Sequence, residues 1–147
     1  LRVIYGDTDQ MGVVYYANYL RFFEAGRNEF IRAKGMRYRD FEERYALRLP
    51  VSEVTVRYQE PACYDDLLRL ETSLVELRRV SATFAYRLLR DEAVLATGST
   101  VHACVDLGGK VRRLPEELVT RLSAGEVLAL NRRRRSPAGG APHGGSL

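Results

Sequence analysis

Five residues near the start of the chain, Tyr19, Phe23, Gly26, Phe30 and Ala33, recur at alternating steps of four and three. That spacing lays them along one face of an α-helix and commits the face to burial against another layer. Gly26 sits within the face, where a missing side chain lets the helix backbone come close to what it covers. Asn18 is a suitable N-cap, Ala17 and the residues near Tyr15 are equally admissible starts, and Gly35 after Lys34 supplies a stop. The covering layer is legible downstream. Ser52 to Tyr58 alternates polar and apolar with period two until Pro61, and Leu68–Leu77, Ala82–Arg90 and Ala93–Asp106 read as further strands. Asp91 and Glu92 make a tight hairpin between the last two, Leu107 to Lys110 forms another turn, and Pro115-Glu116-Glu117 opens a short C-terminal helix. A long helix followed by a run of antiparallel strands is an α+β pattern in which the sheet wraps the helix. No internal repeat and no second domain is read.

A chain of 147 residues with 46% hydrophobic and 29% charged residues builds one ordinary core. Residues 1–130 are expected to form that domain, and 131–147 a basic, Pro/Gly-rich, disordered tail. The formal charge of +4 rests on Arg132 to Arg135; setting these four aside leaves 19 basic against 19 acidic residues. The expected folded part is therefore neutral, which disfavours a nucleic-acid partner; the arginine run reads as a solvated extension rather than a membrane or nucleic-acid contact. Cys63 and Cys104 lack the spacing of a zinc site or a disulfide framework and read as packing thiols of a reducing compartment. No apolar run is long enough to cross a bilayer and no signal-peptide pattern is read at the start. A cytoplasmic location, with no integral membrane segment and no metal or other cofactor, is expected.

The densest stretch runs from Gly6 to Tyr19, GDTDQMGVVYYANY. Val3-Ile4-Tyr5 looks like a strand end, and two aspartates and two glycines then make a sharp, solvated turn just before the helix. A helix N-terminus carries unpaired N–H groups and partial positive charge, which stabilise a carbonyl oxygen that becomes negative; one such donor is worth roughly 3 kcal/mol of barrier. A carboxylate beside it attacks the carbonyl or deprotonates a water that does. An Asp-x-Asp pair in a Gly-rich turn is also a common backbone-capping device, so chemistry alone leaves both readings open.

The same stretch, continued through Leu20-Arg21-Phe22-Phe23-Glu24, resembles the signature of the hotdog-fold thioesterases of the 4-hydroxybenzoyl-CoA thioesterase type, and most closely the YbgC-like acyl-CoA thioesterases. The resemblance extends from Leu1 to about Leu122 and includes Tyr58-Gln59-Glu60-Pro61-Ala62-Cys63-Tyr64-Asp65-Asp66 and Glu76-Leu77-Arg78-Arg79-Val80-Ser81. It implies a hotdog fold and hydrolysis of an acyl-CoA, or an acyl-carrier-protein thioester, to free acid and thiol. Asp9 takes the place of the catalytic carboxylate and the Tyr16 N–H that of the group polarising the thioester carbonyl. Many members carry histidine where Tyr16 stands, so backbone polarisation is kept and an imidazole role is not. Asp7 is expected to shape the turn; Glu24, on the helix, is a second candidate acid.

The resemblance also implies that two copies join sheets at an exposed edge strand, that each site draws on both chains, and that dimers pair into tetramers. Arg78 and Arg79 align with a basic stretch that contacts CoA phosphates, and Ser81 with a hydroxyl position of that motif. Val80 departs from the motif, which carries lysine there. Arg57 and Arg87 have no motif support. His102 shares a strand face with Thr100 and Cys104 and reads as structural; no histidine accompanies Asp9, which disfavours a hotdog dehydratase. The alternative to an enzyme is a module that binds acyl-CoA or acyl carrier protein without cleaving it.

Overall fold

The computed structural model describes residues 1–125. The expected tail 131–147, its arginine run and the last residues of the expected domain lie outside the described residues. Helix α1 spans Asn18–Ala33, α2 Tyr38–Tyr45 and α3 Glu116–Ser123. Strands β2 (Val51–Tyr58), β3 (Leu68–Leu77), β4 (Ser81–Arg90) and β5 (Ala93–Ala103) form an antiparallel sheet in the order β2-β5-β4-β3. Two short strands, β1 (Leu47–Arg48) and β6 (Val105–Asp106), pair beside it.

One face of this sheet is the core face. Ala82, Phe84, Tyr86 and Leu88 of β4 are buried on it, and the register sets them opposite His102, Thr100, Gly98 and Ala96 of β5. α1 crosses that face with Tyr19, Phe22, Phe23 and Ile31 buried. Each such phenylalanine contributes about 1.5–3 kcal/mol of burial. Two glycines set the approach. A Cβ on Gly26 would lie 2.3 Å from Leu70 Cδ2, and one on Gly98 would lie 2.4 Å from Phe23 Cε2 and 2.7 Å from the Thr55 carbonyl oxygen. Through the Gly98 gap the Phe23 ring stacks flat on Tyr86, with centroids 4.5 Å apart.

Four expectations need correction. The buried face of α1 is turned from the expected stripe: Ala33 is exposed and Phe30 only half-buried, while Phe22 and Ile31 are fully buried. Val3 does pair with the loop before β3, through Asp65 and Asp66, but Tyr5 belongs to a 3-10 turn, Tyr5–Asp7, not to a strand end. The strand expected over Ala93–Asp106 breaks at Cys104, whose N–H turns to Val80 while Val105 pairs with Arg48. Helix α2 was not anticipated. Its aromatic residues Tyr38, Phe41 and Tyr45 do keep helical spacing, but eight mostly charged residues bury only Phe41 fully.

β2 pairs with β5 alone, so its other edge has no partner among the described residues. A bulge between Val51 and Glu53 brings Val51, Val54, Val56 and Tyr58 onto the core face together. Val51, Val54 and Tyr58 remain 47%, 41% and 47% exposed there.

Candidate active site

The loop ahead of α1 closes on itself. Asp9 N–H donates to Val13 O at 2.9 Å, Gly12 N–H donates to Asp9 O at 3.0 Å, and Gly12 takes the left-handed φ of 80° that a side chain resists. Both aspartates of the motif lie in this turn with different duties. Asp7 is buried and fully engaged: Oδ2 accepts from Ile4 N–H at 3.0 Å, Oδ1 pairs with Arg21, and its carbonyl accepts from Tyr15 N–H at 2.9 Å and the Asn18 amide at 2.8 Å. Asp9 is half-buried and spends one oxygen only, Oδ1, on Met11 N–H at 2.9 Å. Its Oδ2 has no donor among the described residues. Asp7 holds the turn; Asp9 keeps an oxygen to use.

The start of α1 is open. Ala17 stands at the cap position without a side-chain hydrogen bond, and Asn18 is the first helical residue, its amide committed to Asp7. The Tyr15 carbonyl accepts from Asn18 N–H at 2.9 Å, which fixes the Tyr15–Tyr16 peptide and turns the Tyr16 N–H away from the helix. Neither the Tyr16 nor the Ala17 N–H has an acceptor among the described residues. Tyr58 Oη donates to Tyr16 O at 2.9 Å and holds the next peptide. The Tyr16 side chain itself is exposed; its hydroxyl, with a smaller effect of the Asp9 charge, pushes the neighbouring Tyr15 phenol above its ordinary range.

A cavity of about 240 Å³ opens at this point, walled by Val13, Val14, Tyr16, Tyr19, Tyr58 and Pro61. Asp9 is not among its lining residues; Val13, bonded to the Asp9 N–H, forms that side. The cavity is open to solvent and reaches β2 at Tyr58, the last residue of that edge strand.

A family model of the thioesterase-like superfamily matches residues 3–122. The chain belongs to that superfamily. The acyl-CoA thioesterase YbgC of Haemophilus influenzae is 39% identical over 108 residues, 74% of this chain and 79% of that protein. The acyl-CoA thioester hydrolase YbgC of Escherichia coli is 38% identical over 122 residues, 81% of this chain and 90% of the relative. A solved structure of a protein from Aquifex aeolicus, 33% identical, superposes with a TM-score of 0.78 over 83% of this chain and 95% of that one. The fold is the hotdog, and the protein is a thioester hydrolase.

Within one copy of this thioesterase-like chain, the remaining expected site residues lie elsewhere. Arg78 and Arg79 are exposed in the β3–β4 turn, Arg78 N–H donates to Ser81 O at 2.8 Å, and Arg78 pairs with Glu76. The register places Ser81 opposite Ala103 and the next residue, Ala82, opposite His102, which faces Val51. That is the Val51 end of the sheet, whereas the Asp9 turn and Tyr16 are at the Tyr58 end. Glu24 is exposed on α1 with no ion pair among the described residues. No three His, Cys, Asp or Glu side chains gather as a metal site among the described residues. His102 is buried, as a structural histidine is. Arg21 and Tyr58, which hold the two halves of the site, were not singled out for it; each acts across a fold contact that spacing does not encode.

Proposed function

We propose that the protein hydrolyses the thioester of an acyl-CoA to the free acid and CoA thiol, with Asp9 as the acting carboxylate and the Tyr16 N–H as oxyanion donor. The carrying observation is the division of labour in the turn: Asp7 has both oxygens engaged, Asp9 keeps one, and an unclaimed N–H stands at an uncapped helix start seven residues on. Either Asp9 attacks the carbonyl carbon, forming an anhydride that water opens, or it takes the proton of a water that attacks. In both routes a C–O bond forms, the C–S bond breaks, and the thiolate leaves and is protonated. The superfamily and the YbgC relatives support acyl-CoA as substrate. Acyl carrier protein carries the same thioester and remains within the reading.

The working unit in this reading is a dimer joined through the β2 edge, with dimers pairing into tetramers. A two-fold interface reverses one strand against the other. β2 has eight residues, so its ends lie about 23 Å apart, and pairing about its middle sets the Tyr58 end of one copy beside the Val51 end of the next. Arg78, Arg79 and Ser81 thereby come to the neighbour's Asp9 turn, in reach of CoA phosphates. The free thiols Cys63 and Cys104 fit a cytoplasmic setting.

Thiol release from a panel of acyl-CoAs tests the reading. Asp9→Asn should lower kcat by about 10²- to 10⁴-fold. Asp7→Asn should act mainly on stability, by about 1–3 kcal/mol, through the loosened Ile4 and Arg21 contacts. Near-normal turnover in Asp9→Asn with loss in a folded Asp7→Asn would overturn the assignment. Tight binding of acyl-CoA with no thiol release would instead favour the non-catalytic binding module.

A further inference from the structure

A second cavity, of about 230 Å³, lies at the Val51 end of β2, between α1 and the sheet. Ile31, Val51 and Phe84 give it an apolar wall, and Arg27, Asn28 and His102 a polar one, with Glu24 at the exposed rim.

The polar wall is wired in one direction. The Leu49 carbonyl only accepts, so His102 Nδ1 carries the hydrogen and donates to it at 2.9 Å. Nε2 is then bare and accepts from the Thr100 hydroxyl at 2.8 Å. Thr100 Oγ1 accepts from Tyr86 Oη at 2.7 Å, and Tyr86 Oη accepts from Arg27 Nη1 at 3.2 Å. Every hydrogen along this chain is committed inward. Beside the Tyr38 hydroxyl, which accepts from Leu49 N–H at 2.9 Å, the rest of the Arg27 guanidinium and the Asn28 amide remain for an occupant. Arg27 is half-buried and makes no ion pair among the described residues, and the Asn28 side chain has no partner among them. A half-desolvated cation with open donors beside an apolar wall calls for an oxygen acceptor.

The cavity is smaller than the roughly 300–1,000 Å³ of sites for drug-sized ligands, so it takes the end of a molecule rather than a whole cofactor. Which end follows from the edge pairing of the proposed dimer, on which this inference rests. The thioester cavity at Tyr58 then abuts this second cavity at the partner's Val51. We propose that the far end of the acyl group enters this cavity across the dimer interface, and that Arg27 and Asn28 select acyl groups bearing an oxygen function there, a carboxylate or a hydroxyl.

The test is calorimetric titration of the full chain with thioether analogues of acyl-CoA, which cannot be hydrolysed. Three analogues of equal length end in methyl, hydroxyl or carboxylate, and CoA alone is the control. At least one oxygenated analogue should bind about 10-fold or more tightly than the methyl one, as expected of hydrogen bonds to a charged donor. Arg27→Gln should bring that ratio within about twofold. Asn28→Leu should lower it too, and serves should Arg27→Gln fail to fold. A carboxylate preferred over a hydroxyl identifies an acid-terminated acyl group, the reverse a hydroxylated one, and either supports the proposal. A methyl analogue binding as tightly as both others overturns it, as does a ratio unchanged in both variants. Since no turnover is needed, that result leaves the thioesterase reading standing; failure of every analogue and of CoA to bind would sink the proposal and the acyl-CoA form of the thioesterase reading together.

Discussion

His102 carries its consequence in its burial. Enclosure in the core pushes the imidazole down from 6.5 to about 4; the bond to the Leu49 carbonyl opposes the shift and the Arg27 charge adds to it. A protonated ring would have to donate from Nε2 and reverse the Thr100–Tyr86 hydrogens against Arg27, which has only donors to offer. The unfolded chain takes up this proton near pH 6.5 and the folded one only near pH 4, so the contribution is whole above pH 6.5 and lost as pH falls through that window. It amounts to on the order of 3 kcal/mol. His102→Asn keeps a donor where Nδ1 stands but has no proton to gain. Urea unfolding from pH 7 to pH 4.5 should find the variant weaker at pH 7 and its pH slope visibly shallower than that of the wild type. Parallel slopes would show that His102 is not the titrating group. The sequence showed only a structural strand histidine sharing a face with Thr100 and Cys104; the burial and the forced tautomer needed Thr100, Tyr86 and Arg27 brought together from three elements.

At the scale of elements, the sequence carried the long helix and the order of the strands because their periodicities are local. Of the α1 stripe, Tyr19 and Phe23 are buried and Gly26 lies against β3 as the spacing requires, while at its far end Ile31 is buried in place of Ala33; the two-residue Asp91–Glu92 connection joins β4 to β5. The missed helix α2 and the break at Cys104 share a cause: both depend on which strand or helix lies alongside, not on the segment's own pattern. Close approaches are of the same kind. Gly26 was legible as a gap in an apolar face; Gly98, in the middle of β5, was not, although it bears the harder constraint. A methyl at Gly98 meets the Thr55 backbone as well as the Phe23 ring, whereas one at Gly26 meets the movable end of Leu70 and the Thr72 side chain. Gly98→Ala should therefore destabilise by about 1–3 kcal/mol. In Gly26→Ala the crowding is offset by the roughly 1 kcal/mol that alanine gains over glycine within a helix. Thermal melts of the two variants rank them, and an equal or greater loss in Gly26→Ala would contradict the packing described for Gly98.

At the scale of the whole molecule, the proposed dimer would complete the site through the edge strand. In a single copy the open cavity at Tyr16 touches β2 only at Tyr58, while the arginines of the β3–β4 turn sit at the far end of the sheet. β2 meanwhile keeps half-exposed valines on its core face beside an edge with no partner among the described residues, which supports the proposed pairing. In the proposed dimer a lysine near the middle of that strand meets its own copy across the two-fold axis, so like charges face each other in a closing interface. Val54→Lys is placed there, and at 41% exposure in the isolated copy its cost to the fold itself should be small. Light scattering should show a monomer whose melting differs little at low concentration, and hydrolysis should fall by about 100-fold or more because the Asp9 turn loses the neighbour's Arg78 and Arg79. Retained turnover in a demonstrated monomer would mean that each copy holds a complete site, and both the shared thioester site and the acyl-end cavity across the interface would fall with that result.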